Sequence, residues 1–181
     1  ESCGRRITVE TFAGRRTAYR GRVVNFFVDR VRLPNGGRAE REYLDHPGAA
    51  AVLPLLPGGR VVLVKQYRYP VRRTIYEIPA GKLARGERPR ACLRRELKEE
   101  TGYTAAVMEE VGEFWSSPGM VTESFSMMRA RGLTRIGEGG GVEGENITVH
   151  RVKLADIKPF IDARRAEGYA IDVRMLMLLA G

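Results

Sequence analysis

Residues 81–103 read GKLARGERPRACLRRELKEETGY, and they decide how the rest of the chain is interpreted. Within this stretch Glu96, Glu99 and Glu100 share one face of a predicted helix, and about 6 Å of helical rise separates the first from the last. Carboxylates this close repel one another when they are ionised, and a cation among their oxygens relieves that repulsion. Because Mg²⁺ prefers hard oxygen ligands, the stretch predicts a magnesium site, with Mn²⁺ as the alternative ion.

Local signals predict the bounds of this helix. Pro89 suits the first helical turn, where its missing N–H is not needed, and Gly102 suits the left-handed conformation that ends many helices. Leu93 and Leu97 lie one turn apart and form an apolar stripe. We therefore expect the helix to pack on a sheet through this stripe and to keep its glutamates on an adjacent, open face.

An acidic helix that also carries Arg94, Arg95 and Lys98 can be ordinary solvated surface. The wider spacing favours a functional motif: a glycine, five residues, a glutamate, seven residues, and then Arg-Glu-apolar-any-Glu-Glu-any-Gly. This spacing resembles the signature of the Nudix hydrolases, which hydrolyse nucleoside diphosphates linked to another moiety. Tyr103 departs from the aliphatic residue that usually ends the signature, at a position of structural rather than chemical importance.

The flanks of the motif resemble one group within that family, the ADP-ribose pyrophosphatases. They read YEIPAG at residues 76–81, KQYR at residues 65–68 and SSPGM at residues 116–120. Pro118 lies about sixteen residues past the end of the motif, the offset associated with ADP-ribose. The resemblance implies hydrolysis of ADP-ribose to AMP and ribose 5-phosphate. The alternatives are another nucleoside diphosphate sugar, an RNA 5′ end, or a non-catalytic nucleotide-binding module.

The resemblance also implies roles for single residues of the motif. Glu96, Glu99 and Glu100, together with the backbone carbonyl of Ala80, are expected to bind the metal ion. Arg95 is expected to pair with a glutamate of the motif and to fix its rotamer. We count Arg95 and Glu99 among the catalytic residues for these reasons.

A general base is expected in the Gly-rich stretch of residues 136–146. In similar enzymes a glutamate on the loop before the last strand closes over the substrate, and here Glu145 is the first candidate and Glu143 the second. Without the resemblance, an acidic residue in such a loop would simply be solvated. The glycines of the stretch are expected to permit the closure.

Substrate-binding residues are predicted outside the motif. Arg68 offers a planar fork suited to a diphosphate. Pro118, Gly119 and Met120 belong to the turn that marks ADP-ribose enzymes, and Glu123 is a candidate to hydrogen-bond ribose hydroxyls.

An aromatic platform for adenine is expected in the N-terminal strands. Phe26, Phe27 and Tyr43 are the candidates, with Phe27 chosen, although core packing is the commoner role of such residues. In ADP-ribose pyrophosphatases these strands cross to a second subunit, so the resemblance implies a homodimer. We therefore expect a dimerising β extension over residues 1–45 and a Nudix hydrolase domain over residues 46–181.

The predicted fold class is α/β, a Nudix α/β/α sandwich with a mixed sheet and an N-terminal antiparallel extension. The Asn-Gly and Gly-Gly turns at residues 34–37 and 57–59 predict two hairpins. Helices are predicted from residue 157 and over residues 173–179. Strands are predicted over residues 7–12, 21–33, 39–44, 50–56, 60–68, 105–115, 124–133 and 147–154.

Charge and composition limit the partners. The net charge is +9 and 26 of the 31 basic residues are arginine, but they occur in every segment and no nucleic-acid motif surrounds them, so a nucleic-acid partner is not expected. No apolar run approaches the roughly 20 residues that span a bilayer, and no secretory pattern begins the chain, so a cytoplasmic location is the default expectation. Cys3 and Cys92 cannot form a disulfide framework, and Cys92 is expected to be buried.

Overall fold

The computed structural model of the chain describes residues 9–179. Within them the chain divides into two compact units, one of residues up to Gly48 with Trp115–Glu123, and one of Ala49–Phe114 with the residues from Ser124 onward. Cys3 and the start of the first predicted strand lie outside the described residues. No helix in the described part is both long and apolar enough to span a bilayer.

The first unit contains a three-stranded antiparallel sheet. Its strands, in spatial order, are β1 (Thr11–Arg20), β2 (Asn25–Arg32) and β3 (Arg38–Asp45). The hairpin predicted at residues 34–37 is confirmed, since Gly36 has a φ of 85° there and β2 pairs with β3. The first strand was predicted too early in the chain. The reason is that β1 is exposed along most of its length and therefore lacks the apolar alternation that reveals a half-buried strand.

The second unit contains a mixed eight-stranded sheet. Its central path runs β11-β6-β5-β4-β9-β8, with β10 paired to β5 and β7 paired to β4. Parallel pairing of β4 with β9 and antiparallel pairing of β4 with β5 make the sheet mixed. The elements of this unit are β4 (Ala49–Leu56), β5 (Arg60–Arg68), β6 (Arg73–Glu77), β7 (Ala80–Lys82), α1 (Pro89–Thr101), β8 (Tyr103–Trp115), β9 (Ser124–Arg135), β10 (Thr148–Lys153), α2 (Ile157–Ala166) and β11 (Ala170–Ile171).

One helix packs on each face of this sheet. Alternate residues of β4 contribute to two different apolar clusters, as the two-residue period of a strand requires. The first cluster includes Ile157 and Ile161 of α2, and the second includes Leu93 and Leu97 of α1. The predicted apolar stripe of α1 is thus confirmed, and it leaves the glutamates of that helix off the buried face except for Glu100.

The ends of α1 also agree with the prediction. Pro89 occupies the first turn, and Gly102 ends the helix with a φ of 73° and an N–H that donates to the Lys98 carbonyl at 2.9 Å. The helix predicted over residues 173–179 is a 3-10 helix, and at its start the Met175 N–H donates to the Asp172 carbonyl three residues back. The short strands β6, β7 and β11 were not predicted.

Candidate active site

The candidate site is built where β7 meets the last two turns of α1. The Ala80 N–H donates to Glu100 Oε2 at 3.2 Å, which fixes the buried end of the acidic face. A Cβ atom at Gly81 would lie 1.9 Å from Glu96 Oε1. Glu96 can therefore lie against β7 only because residue 81 has no side chain.

Arg95 connects the remaining carboxylates of the motif. Its Nη1 donates to Glu96 Oε1 at 2.7 Å and to Glu99 Oε2 at 3.2 Å. Its Nε and Nη2 donate to the two oxygens of Glu87 at 3.2 and 3.3 Å. One planar guanidinium thus holds three carboxylates in a defined arrangement.

Burial opposes ionisation of the two inner glutamates. It raises the pKa of Glu100 to about 8, and the neighbouring charge of Glu96 acts in the same direction. Burial is also the largest cause of the raised pKa of Glu96, and the Arg95 guanidinium opposes it. The two carboxylates therefore lack a full complement of positive charge from the protein.

These residues fit a divalent cation in their chemistry. Their donors are carboxylate oxygens, the hard ligands that Mg²⁺ takes, and the Ala80 backbone lies beside them. Within residues 9–179 no three Asp, Glu, His or Cys side chains already surround a common point, since Arg95 holds two of the carboxylates. The metal-ligand roles of Glu96, Glu99 and Glu100 stay a prediction.

The first half of the Gly-rich stretch lies on the C-terminal end of α1. Gly140 and Gly141 donate their N–H groups to the carbonyls of Glu100 and Glu99, each at 3.0 Å. A Cβ atom at Gly139 would lie 2.5 Å from the Thr101 carbonyl carbon. These glycines allow close backbone contact with α1, and their role in a closure stays a prediction.

Glu145 is the better placed of the two candidate bases. Its Oε2 accepts the Val142 N–H at 3.1 Å, and its charge is near enough to contribute to the raised pKa of Glu96. Glu143 is exposed. Between them, Gly144 has a φ of 89° and open space around it. The role of the base stays a prediction for both glutamates.

Arg68 lies near the acidic cluster but is engaged by a residue that sequence reasoning did not include. Its Nε and Nη2 donate to the two oxygens of Glu77 at 2.7 and 2.8 Å. Hydrogen bonding to Glu77 raises the pKa of Arg68, and the charge of Glu100 adds to the effect. Arg174 also donates to Glu77. Glu77 lies between Tyr76 and Ile78, and a charged residue between two large apolar residues was a signal in the sequence. Nothing in the sequence indicated Arg174.

The turn at Pro118 to Met120 belongs to the first unit. Met120 donates to the Ser117 carbonyl at 3.1 Å and accepts the Leu44 N–H at 2.9 Å, which places the turn beside β3. A pocket of about 440 Å³ opens there. Its lining includes the exposed Trp115, which sequence reasoning also missed. The lining residues are residues 41–43, Trp115 and residues 118–122.

Glu123 and Phe27, which were also predicted to bind the substrate, each contact another side chain of the first unit. Glu123 Oε2 accepts the Ser116 hydroxyl at 2.6 Å. The Arg15 guanidinium lies 4.3 Å from the centroid of the Phe27 ring and covers one of its faces. Only the other face of Phe27 could stack on an adenine.

Comparison with known proteins places this site in a family. Residues 45–170 match the model of the NUDIX domain. The chain is 42% identical over 147 residues to the ADP-ribose pyrophosphatase of Bacillus subtilis (strain 168), covering 81% of this chain and 80% of the relative. It is 41% identical over 148 residues to the methanol dehydrogenase activator of Bacillus methanolicus, with the same shares covered.

The fold has a counterpart among solved structures. The crystal structure of an ADP compounds hydrolase superposes with a TM-score of 0.76 at 20% identity, over 94% of this chain and 92% of that one. This likeness confirms the predicted α/β fold class. With the family model matched over most of the chain and the acidic motif folded as a helix on a mixed sheet, the chain belongs to the Nudix family.

Proposed function

We propose that this protein hydrolyses the pyrophosphate bond of ADP-ribose to AMP and ribose 5-phosphate in a Mg²⁺-dependent reaction. The observation that carries the proposal is the acidic cluster on α1, held by Arg95 and packed against Gly81. The substrate follows from the relative at 42% identity, which is named an ADP-ribose pyrophosphatase. The Pro118 turn in the sequence favours the same substrate.

Members of the Nudix family generally use a divalent metal ion. Glu96, Glu99 and Glu100, with the carbonyl of Ala80, are the residues that would hold it here. When bound, such an ion neutralises charge on phosphate oxygens and lowers the pKa of a bound water. Arg95 would keep two of these carboxylates in fixed rotamers.

The other residues of the site would bind the diphosphate and move a proton. Arg68 is suited to a diphosphate oxygen because its guanidinium is partly exposed beside the acidic cluster. In the reaction, a water oxygen forms a bond to one phosphorus while the bond from that phosphorus to the bridging oxygen breaks. Glu145 is proposed to take the proton of that water, with Glu143 as the second candidate.

Substrate-binding roles are also proposed for residues of the first unit. Trp115, Pro118 and Met120 line its pocket and offer apolar and aromatic surface to a base. Phe27 offers one ring face for the same purpose. Glu123 is proposed to accept hydrogen bonds from ribose hydroxyls.

A homodimer is proposed through the N-terminal β extension of residues 1–45. The support is the exposure of large apolar side chains on this segment, including Val9, Phe12 and Tyr19. Light scattering would check it, because a dimer has twice the 20.2 kDa mass of one chain. A cytoplasmic location stays a prediction.

A substrate panel tests the proposed function. We would measure kcat/KM for ADP-ribose, ADP-glucose, NADH, diadenosine polyphosphates and capped RNA at a fixed Mg²⁺ concentration. ADP-ribose should give the highest value by at least about tenfold, a free-energy difference of about 1.4 kcal/mol between transition states. A higher kcat/KM for another substrate would mean that ADP-ribose is not the preferred substrate, while the proposed pyrophosphate hydrolysis would stand. Binding without turnover of any of them would favour a non-catalytic module.

A second candidate function is activation of a methanol dehydrogenase. It is favoured by the relative of that name, which is nearly as similar to this chain as the pyrophosphatase. The check is the initial rate of a methanol dehydrogenase with and without the protein, and with the variant Glu100→Gln. A stimulation lost in the variant would mean that the acidic cluster serves both functions, and no stimulation would contradict this candidate.

A further inference from the structure

A group of four charged side chains lies next to the acidic cluster, and of these only Arg68 has a part in the proposed function. We call it the Glu77 network, and it consists of Arg68, Glu77, Asp172 and Arg174. Glu77 is only 2% exposed. A carboxylate buried to this degree is stable only when it is hydrogen-bonded and paired with positive charge.

Arg174 is held in this network from two sides. Its Nε and Nη2 donate to the two oxygens of Asp172 at 2.7 and 2.9 Å, and Nη2 also donates to Glu77 Oε2 at 3.0 Å. The Asp172 N–H in turn donates to the carbonyl of Tyr76, the residue before Glu77. The side chain of Arg174 is 15% exposed, so it is well ordered by its contacts.

The two arginines share one carboxylate oxygen. Glu77 Oε2 accepts from Arg68 Nη2 at 2.8 Å and from Arg174 Nη2 at 3.0 Å. Asp172 binds Arg174 through both of its oxygens, so the network holds two carboxylates for two guanidinium groups. The second hydrogen bond to Glu77 Oε2 therefore comes from a paired arginine, and it helps to hold the Glu77 carboxylate in the orientation that binds Arg68.

Arg68 also keeps free hydrogen-bond donors. Its Nε and Nη2 are used by Glu77, whereas its Nη1 has no hydrogen-bond partner within the described residues. The side chain is 41% exposed. The outer edge of the guanidinium is therefore available to an anion, while its inner edge is fixed.

The network is joined to the acidic cluster through the backbone. Glu77 precedes Ala80 by three residues, and the Ala80 N–H binds the Glu100 carboxylate at 3.2 Å. The charges of Glu77 and Arg68 both act on the pKa of Glu100, the first raising it and the second lowering it. An anion at the outer edge of Arg68 would thus lie beside the carboxylates of α1.

We propose that Arg174 is a positioning residue of the active site: by binding Glu77 together with Arg68, it fixes the Arg68 guanidinium with Nη1 free for an oxygen of the substrate's diphosphate. The inference rests on the proposed function, because that function supplies the diphosphate. Arg174 itself does not contact the substrate. The 3-10 helix at the end of the described chain thereby contributes to substrate affinity.

The first test compares Arg174→Gln with wild type in ADP-ribose hydrolysis. We expect KM to rise about tenfold and kcat to stay within about twofold, since the contact from Arg68 is made in both ground and transition states. Arg174→Lys should recover part of the affinity, because it restores the charge without the fork. Arg164→Gln is the matched control, since it removes another ion-paired arginine of the same unit and should change neither constant.

A double-mutant cycle tests whether Arg174 acts through Arg68. If it does, Arg68→Gln with Arg174→Gln should be no worse than Arg68→Gln alone. An unchanged KM in Arg174→Gln, or additive effects in the cycle, would overturn the proposal. If Arg174→Gln does not fold, Asp172→Asn loosens Arg174 more gently and should raise KM in the same direction, and a wild-type KM in it would also overturn the proposal.

A measurement that does not depend on substrate turnover separates this inference from the proposed function. Failure of the wild-type protein to hydrolyse ADP-ribose would contradict the function alone. The Arg68 Nε–H signal in a ¹⁵N spectrum, assigned by its loss in Arg68→Gln, then reports the positioning directly. Broadening or a shift of this signal in Arg174→Gln supports the positioning, and an unchanged signal overturns it.

Discussion

The missing side chain of Gly81 shows how one residue shapes this site. Glu96 Oε1 lies where a Cβ atom would be, only 1.9 Å from its ideal position. The backbone of Gly81 is not in the left-handed region, so a larger residue would be excluded by contact rather than by strain. Glycine is required here because the Glu96 side chain of α1 must approach β7.

The variant Gly81→Ala tests this reading. The new methyl group should displace the Glu96 carboxylate and lower the apparent affinity for Mg²⁺ by about 10- to 100-fold, the usual effect of disturbing the support of a metal ligand. The unfolding temperature should change little, because the Glu96 side chain can move. The measurement is the Mg²⁺ dependence of the initial rate.

The control for this variant is Gly137→Ala. Gly137 also lacks a left-handed φ, and the nearest atom to an added Cβ is 4.0 Å away. It should behave as wild type. An unaltered Mg²⁺ dependence in Gly81→Ala would contradict the role given to Glu96.

The variant Glu100→Gln tests the inner carboxylate. Without metal, at a pH above 8 where the Glu100 carboxyl is ionised, its unfolding temperature should be no lower than that of wild type, because the substitution removes a buried charge next to Glu96. Addition of Mg²⁺ should raise the unfolding temperature of wild type and not that of the variant. Equal stabilisation of both proteins by Mg²⁺ would show that Glu100 is not a ligand.

Sequence reasoning found the residues of this site that are close together in the chain. Glu96, Glu99 and Glu100 could be assigned to one face because helical geometry fixes their spacing. Arg174 could not be found, because it reaches Glu77 across 97 positions of sequence. Such a contact depends on the pairing of β11 with β6, and a strand of two residues leaves no pattern.

Among the elements, the end of α1 is hydrogen-bonded by a loop that two strands, β8 and β9, separate from it in sequence. The backbone of residues 136–141 donates four hydrogen bonds to the carbonyls at the end of this helix, from residues 136, 137, 140 and 141. These bonds satisfy acceptors that a helix end leaves open. The Gly-rich stretch was predicted as a loop with no core, and its packing on α1 was not foreseen because backbone contacts carry no side-chain pattern.

The variant Gly139→Ala tests this packing. Its φ is +74°, and an added Cβ would meet backbone atoms of α1 at 2.5 to 2.8 Å. We expect it to lower the free energy of unfolding by about 3 kcal/mol, from backbone strain and overpacking together. The measurement is a denaturant titration of both proteins, in which an unchanged m-value shows that the midpoint shift reports stability.

The variant Gly58→Ala measures the backbone strain without the overpacking. Gly58 has a φ of +75° but no atom within 4 Å of an added Cβ, so only the backbone cost of about 1 kcal/mol should remain. Equal losses in the two variants would mean that the loop does not pack closely on α1.

For the molecule as a whole, the buried thiol of Cys92 reports global stability. Cys92 lies in the core between α1 and the sheet, and burial raises its pKa to about 12. The reactive thiolate is therefore scarce while the protein is folded. The sequence predicted this burial because Cys92 lies within the predicted helix, where a free cysteine commonly packs as a small apolar residue.

The variant Cys3→Ser leaves Cys92 as the one thiol of the chain. A thiol reagent should label it slowly between pH 7 and 9 and rapidly in denaturant, with the labelled fraction following the unfolding curve. Rapid labelling without denaturant would contradict the burial of Cys92. In the same experiment on Gly139→Ala, labelling should begin at a lower concentration of denaturant.

³¹P NMR of ADP-ribose incubated with the protein follows the proposed hydrolysis directly. With Mg²⁺ present, the two diphosphate resonances should disappear, and two phosphomonoester resonances, those of AMP and ribose 5-phosphate, should grow in equal amounts. Glu100→Gln, or an excess of chelator, should leave the diphosphate intact. Persistence of the diphosphate with wild-type protein and Mg²⁺, or products other than this pair, would mean that the protein does not catalyse this reaction.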